Sequence, residues 1–240
     1  MRFGRVSPVA GPGRRASAYG GPEVRLPFDD RAEAGALLAA RLSGLGLRAP
    51  VVLALPRGGV PVAIPVARRL EGALDVLVSR KIGCPGYPEL GVGAVAEGGE
   101  PVFDPGMLRR TRLTEESVAH VVERERAELA RRVAVYRGGR RPPDTAGRDV
   151  IVVDDGLATG VTARAALRAV RERGPGRLVL AVPVGAPDTA DALREEADEV
   201  VLLATPARFH AVGQWYRRFD QLDDGDVLRL LGREPAGGDV

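Results

Sequence analysis

The fold is decided by the stretch Val150-Ile151-Val152-Val153-Asp154-Asp155-Gly156-Leu157-Ala158-Thr159-Gly160-Val161-Thr162. Its first four residues are β-branched, which predicts a strand buried on both faces. Two adjacent carboxylates end the strand, a Gly/Thr turn follows, and a helix begins near Ala163. Backbone N–H groups at a helix N-terminus favour an anion, whereas the two acids would repel a bare phosphate. The pattern therefore favours a ligand that carries hydroxyls or a metal besides a phosphate, such as a sugar phosphate. The alternative is an ordinary turn, in which Asp155 caps the helix and Asp154 is solvated.

Composition limits the class of protein. With 240 residues, 45% of them hydrophobic, the chain can bury the core of one domain plus an appendage. A net charge of +3 is too small to indicate a nucleic-acid partner. The single cysteine, Cys84, excludes an internal disulfide and fits a reducing compartment. No apolar run approaches the about 20 residues that span a membrane, so we expect a cytoplasmic protein without membrane contact.

The order of apolar segments predicts the architecture. Strands expected at 51–55, 74–78, 150–153, 177–183 and 200–204 alternate with helical patterns. This alternation predicts an α/β fold with a doubly wound, mainly parallel sheet of about five strands. We expect a disordered tail over residues 1–24, one domain over 25–232 with a small C-terminal hood at about 205–232, and a tail over 233–240.

Three features lie between the second and third of these strands. Residues 79–90 hold two prolines and two glycines and predict a long polar loop. Residues 91–103 alternate around Gly98-Gly99 and predict a β-hairpin. Thr114 is a good N-cap for a long helix that continues to about Tyr136. Its many Glu and Arg residues indicate a solvated face.

The opening stretch resembles the signature of type I phosphoribosyltransferases, enzymes that use 5-phosphoribosyl diphosphate. The resemblance implies that Asp154 and Asp155 hold the ribose 2- and 3-hydroxyls. It also implies that amides and hydroxyls wrap the 5-phosphate, and these belong to Gly156, Leu157, Ala158, Thr159, Gly160 and Thr162. The donor would bind with Mg²⁺ bridging diphosphate and ribose oxygens, for which Asp154 and Asp155 are the candidate protein ligands.

Two further segments fit a diphosphate. Gly58 and Gly59 follow the first strand and expose backbone amides, while Arg57 offers a donor fork suited to phosphate oxygens. Alone, this pattern is weak, because glycines follow strands in most α/β folds. In the resembled family this loop contacts the diphosphate. The family also has a mobile loop at 79–90, where Arg80 and Lys81, the chain's only lysine, would neutralise the leaving group. A plain surface connection is the alternative, and Cys84 in the same loop is interpreted as a bystander.

The C-terminal segment 209–220 holds three of the nine Phe and Tyr residues and the only Trp. In type I enzymes a variable hood covers the acceptor base, so Phe209, Trp215 and Tyr216 are candidates to stack on it. The alternative is a small aromatic cluster that anchors the C-terminus. We interpret His210 as structural or solvent-exposed rather than as a substrate contact.

A wider likeness covers residues 25–232. Four segments together look like a group of bacterial phosphoribosyltransferase-domain proteins without an assigned acceptor: Phe28-Asp29-Asp30-Arg31, the Arg-Gly-Gly loop, Arg80-Lys81-Ile82-Gly83 and Gly213-Gln214-Trp215-Tyr216. One departure limits the acceptor. In 6-oxopurine enzymes an aspartate that can act on the base stands where this chain has Ala158, so hypoxanthine or guanine chemistry by that route is disfavoured.

The sequence supports three hypotheses. The first is phosphoribosyl transfer from 5-phosphoribosyl diphosphate to a small nitrogenous acceptor, such as a nucleobase, with release of diphosphate. The second is a regulatory protein that senses 5-phosphoribosyl diphosphate without turning it over. The third, a hydrolase of another phosphosugar, is less favoured because the two loops suit a diphosphate leaving group. A homodimer is expected.

Overall fold

A computed structural model describes residues 24–233, which form eight strands and seven α-helices. The strands are β1 Val51–Ala54, β2 Ala73–Val76, β3 Ser79–Cys84, β4 Tyr87–Ala96, β5 Val102–Phe103, β6 Asp149–Val153, β7 Arg177–Val184 and β8 Glu199–Ala204. The helices are α1 Arg31–Leu42, α2 Gly59–Arg69, α3 Pro105–Thr111, α4 Ala119–Arg137, α5 Val161–Arg171, α6 Pro187–Ala192 and α7 Asp224–Leu230. The predicted tails, 1–24 and 233–240, lie outside the described residues except for their innermost positions, 24 and 233.

Five strands form a parallel sheet in the order β2-β1-β6-β7-β8. Alternate residues of each central strand enter separate apolar clusters on the two faces. Val150 and Val152 pack with α5, and Ile151 and Val153 pack with α2. The sheet is thus covered by helices on both sides, which explains its continuous runs of Val, Leu and Ile. The predicted doubly wound α/β fold is confirmed.

The strand order reverses between β1 and β6. The chain goes from β1 to β2 on one side, and from β6 to β7 and β8 on the other. Ala54 pairs with Val153 in register, so the segments after these two strands start side by side. In open α/β sheets this reversal point opens a crevice at the carboxyl ends of the strands, where ligands bind.

The prediction of a long polar loop over 79–90 is wrong. These residues form β3 and the start of β4, an antiparallel arm joined by a turn at Gly86, whose φ is +81°. The register shifts on either side of Gly83, where a Cβ would lie 2.5 Å from the Pro88 carbonyl oxygen. The Pro and Gly residues of the arm therefore lie in its turn and in the irregular part of its pairing. The tip of the arm is exposed, so the sequence there shows no apolar alternation. The hairpin predicted over 91–103 is confirmed, since β4 pairs with β5.

The helices follow their end signals. Thr114 and Ser117 exchange backbone-to-hydroxyl hydrogen bonds, but Thr114 is not the N-cap of α4, because a 3-10 turn at Glu116–Val118 comes between them. Helix α4 ends at Arg137, close to the predicted Tyr136. Pro187 starts α6 as expected. Helix α3 is not predicted, although Asp104 accepts a hydrogen bond from the Met107 amide as its N-cap. Among the described helices, none has the length and apolar character needed to cross a bilayer.

Candidate active site at the reversal point of the sheet

Asp154 and Asp155, here called the acidic pair, follow β6 at the reversal point. The Asp155 amide donates a hydrogen bond to Asp154 Oδ1 at 2.8 Å. Asp155 Oδ2 accepts a hydrogen bond from Arg31 Nε at 2.9 Å, and the Asp155 side chain is only 14% exposed. The Asp154 carboxylate is thus held by the backbone of the pair, and the Asp155 carboxylate is held by Arg31 of α1. Asp155 does not cap α5, because the N-cap residue of that helix is Gly160.

The two carboxyl groups have different electrostatic surroundings. Burial raises the pKa of Asp154 well above its ordinary value, and the charge of Asp155 raises it further. Burial also raises the pKa of Asp155, but the Arg31 guanidinium opposes this shift. Ionisation of both carboxyl groups is therefore unfavourable in the free site, and a ligand that donates hydrogen bonds to them would stabilise their charged forms.

The glycine loop, residues 56–59, packs directly on the acidic pair. A Cβ on Gly58 would lie 1.9 Å from Asp155 Oδ2, and one on Gly59 would lie 2.6 Å from the Val153 carbonyl oxygen. Only glycine fits at such separations. The Pro56–Arg57 peptide bond is cis. Arg57 lies 3.9 Å from Asp224 Oδ1 of α7, and its side chain is 42% exposed. The structure thus brings the two sequence motifs into contact.

The turn 156–160 leads from the acidic pair into α5. The Leu157 amide donates to the Val184 carbonyl at 2.9 Å, and the Thr189 hydroxyl donates to the Ala158 carbonyl at 2.8 Å. Ala158 and Thr159 are exposed, and Gly160 has a φ of +69°. The first N–H groups of a helix have no partner within it, so the start of α5 offers donors beside the acidic pair.

Arg80 and Lys81, the two cations of the segment predicted as a mobile loop, contact other residues of the protein. Arg80 Nη2 lies 2.7 Å from Glu125 Oε2 of α4. Lys81 Nζ donates to the Glu89 carbonyl at 2.8 Å, within the same hairpin. Both residues lie on β3. To neutralise the charge of a diphosphate, they would have to leave Glu125 and Glu89, either because the arm moves or because they exchange partners. Their roles stay predictions.

The aromatic residues of the hood form a packed cluster. Tyr216 is 5% exposed, with its ring 5.4 Å from Phe28 and 5.2 Å from Phe219 between centroids. Its hydroxyl donates to the Asp155 carbonyl at 2.6 Å. Phe209 stacks on Trp215 at 6.2 Å. These contacts favour the alternative of a cluster that anchors the segment, and stacking of an acceptor on these rings stays a prediction. His210 is exposed.

Arg31 is the site residue that sequence reasoning missed. Besides Asp155, its guanidinium contacts the hood, with the Asp220 carbonyl accepting from Nη1 at 3.0 Å and the Phe219 ring centroid at 3.8 Å. Its only local signal was its place in Phe28-Asp29-Asp30-Arg31, just after the N-cap Asp30. No local pattern could show that it would reach a carboxylate 124 positions away.

Known proteins resemble the chain over most of the described region. A model of the phosphoribosyl transferase domain matches residues 30–214. A protein of Mycobacterium tuberculosis H37Rv named "Putative phosphoribosyl transferase Rv0571c" is 48% identical over 206 residues, which are 86% of this chain and 46% of that protein. The chain thus spans about half the length of the curated relatives it matches first.

Two further comparisons cover other proteins. The crystal structure of the protein TT1426 from Thermus thermophilus shares 49% identity and a TM-score of 0.73, over 86% of this chain and 98% of that one. A uracil phosphoribosyltransferase of Thermoanaerobacter sp. X514 is 31% identical over 146 residues, which are 61% of this chain and 62% of that protein.

Proposed function

The chain belongs to the phosphoribosyl transferase domain family, and on that premise we propose that it transfers a phosphoribosyl group from 5-phosphoribosyl diphosphate to a nitrogen of a small acceptor. In this reaction the bond between ribose C1 and the diphosphate oxygen breaks. The electron pair leaves with diphosphate, and the acceptor nitrogen forms the new bond to C1. Such chemistry depends on positioning and charge stabilisation rather than on a protein nucleophile.

The contact between the glycine loop and the acidic pair is the observation that carries the proposal. Gly58 lies against the Asp155 carboxylate, and Ala54 pairs with Val153, so a site for diphosphate and a site for ribose hydroxyls would share one crevice. The start of α5, which follows the acidic pair along the chain, adds backbone donors. These three groups of donors would suit the three parts of 5-phosphoribosyl diphosphate: diphosphate, ribose and 5-phosphate.

Each group has a specific task in this proposal. Asp154 and Asp155 accept hydrogen bonds from the ribose 2- and 3-hydroxyls and hold C1 in place. The amides of Gly58 and Gly59 and the Arg57 guanidinium oppose the charge of the diphosphate. The turn 156–160 and Thr162 bind the 5-phosphate. Arg80 and Lys81 would add charge stabilisation if the β3–β4 arm released them from Glu125 and Glu89.

The acidic pair also fits Mg²⁺. Two carboxylates are the hard oxygen ligands that this ion prefers, and it usually keeps several waters and substrate oxygens. No group of three or more His, Cys, Asp or Glu side chains able to hold a metal occurs within residues 24–233, so the ion would depend on the donor's own oxygens. When bound, it would withdraw charge from the leaving diphosphate.

The matched relatives indicate which acceptors should be tested first. Ala158 has no proton to give to a base or take from one, and the uracil phosphoribosyltransferases are among the matched proteins. Uracil therefore comes first in an acceptor panel of pyrimidines, purines and their precursors. Cytoplasmic location and assembly as a homodimer stay predictions.

Two measurements test the proposal. By calorimetry, the wild type should bind 5-phosphoribosyl diphosphate with Mg²⁺, and the variant Asp154→Asn with Asp155→Asn should not. A matched control is Asp149→Asn, at the opposite end of the same strand, which should bind like the wild type. Unchanged affinity in the double variant contradicts the proposal. A diphosphate-release assay over the panel separates the enzyme from the sensor, which would bind the donor and release no diphosphate with any acceptor.

A further inference from the structure

The hood and residues 28–31, here called the N-terminal segment, are held together along their backbones. The Phe28 amide donates to the Trp215 carbonyl at 2.8 Å, and the Arg217 amide donates back to the Phe28 carbonyl at 2.8 Å. The Phe28 ring is fully buried against Tyr216. These contacts make the N-terminal segment a structural part of the hood, although 188 positions separate Phe28 from Tyr216.

Arg31 extends this unit to the acidic pair. Its side chain is 11% exposed, and different parts of the guanidinium contact different partners. Nε donates to Asp155 at 2.9 Å, Nη1 donates to the Asp220 carbonyl at 3.0 Å, and the guanidinium plane lies on the Phe219 ring. A planar guanidinium can hold a carboxylate, a carbonyl and an aromatic ring at once, which a lysine cannot.

We propose that Arg31 is a positioning residue that ties the hood to the acidic pair, so that binding of the donor at Asp155 is transmitted to the hood. The inference rests on the proposed function, because it takes the acidic pair as the ribose site. Any shift of the Asp155 carboxylate on binding must pull or release the guanidinium, and with it Phe219 and Asp220. In a second link, the Tyr216 hydroxyl donates its hydrogen bond to the Asp155 carbonyl rather than to the carboxylate.

The chain contains its own reporter. Trp215 is the only tryptophan, so its fluorescence can be excited selectively. Its indole N–H is buried without a hydrogen-bond acceptor among the described residues, and its carbonyl accepts from Phe28. Acrylamide quenching of Trp215 therefore measures how tightly the hood packs, with and without 5-phosphoribosyl diphosphate and Mg²⁺.

Three variants separate the roles of Arg31. Arg31→Gln should weaken donor binding by about 10- to 100-fold, the loss expected for a charge-assisted hydrogen bond, and should abolish the effect of saturating donor on Trp215 quenching. Arg31→Lys keeps the charge beside Asp155 but not the geometry of the guanidinium, so it should bind the donor more tightly than Arg31→Gln and still lack the Trp215 response. The control is Arg218→Gln, which removes the exposed pair with Asp30 and should keep both affinity and response.

The outcomes are distinct. A wild-type Trp215 response in Arg31→Gln or Arg31→Lys at saturating donor overturns the inference, and so does an equal loss in Arg218→Gln. If Arg31→Gln fails to fold, Arg31→Lys decides. If the wild type binds no donor, the proposed function fails. In that case the link through Arg31 is tested in the free protein. Arg31→Gln should give Trp215 a higher quenching constant than Arg218→Gln does, and equal constants overturn the inference.

Discussion

Replacing Gly58 by alanine tests the packing of the glycine loop on the acidic pair. The new Cβ would lie 1.9 Å from Asp155 Oδ2 and 2.5 Å from its Cγ, whereas ordinary contacts begin at 3.4 Å. The carboxylate must therefore retreat by about 1.5 Å, the difference between these separations, and leave the 2.9 Å pair with Arg31.

The size of the effect follows from this geometry. Overpacking of a buried contact costs about 1–3 kcal/mol. For a chain of this length, 1 kcal/mol lowers Tm by about 2–4 °C, so we expect Gly58→Ala to lower Tm by about 2–12 °C. Donor affinity should fall as well, because the displaced carboxylate is the proposed ligand of a ribose hydroxyl. Differential scanning calorimetry and titration calorimetry measure the two effects.

A control and a double-mutant cycle make the test specific. Gly44→Ala places a Cβ where nothing lies within 4 Å, so it should change stability by less than about 0.5 kcal/mol. Asp155→Ala removes the atoms that the new Cβ would meet. In that background Gly58→Ala should also cost less than about 0.5 kcal/mol. An equal cost of Gly58→Ala in both backgrounds refutes the packing argument.

Two further predictions concern charge. Since burial and Asp155 raise the pKa of Asp154 in the folded state, stability is lost as the pH rises above about 4 and the unfolded chain ionises first. Asp154→Asn should therefore raise Tm at pH 7.5, with a gain that shrinks towards pH 4, and a pH-independent difference contradicts this. Arg137→Ala should cost about 3–5 kcal/mol in urea unfolding, because Glu97 would lose its partner and the buried Asp75 would keep only Arg233. A loss below about 1 kcal/mol, the range of exposed pairs, contradicts it.

Sequence reasoning succeeded where local patterns determine structure. Val150–Val153 had to be buried on both faces, and the acids and glycines that follow strands had to gather at one edge of a parallel sheet. It failed where partners are distant. The tip of the arm of β3 and β4 is exposed and lacks apolar alternation, and the Pro and Gly residues of the arm serve a turn and an irregular register rather than a loop. Arg31 carries no local mark, because its partners lie in the hood and beyond β6.

The pairing of β1 with β6 has a consequence for folding. It joins Ala54 to Val153, so about a hundred residues must leave the ribosome before the two strands can meet. Closing so long a loop slows folding, and until then β1 presents an unpaired edge on which another chain can add a strand. We expect a chain truncated before residue 149 to aggregate. The crevice between the two strands therefore forms only after β6 has been made, and the nascent chain can acquire the proposed donor site only then.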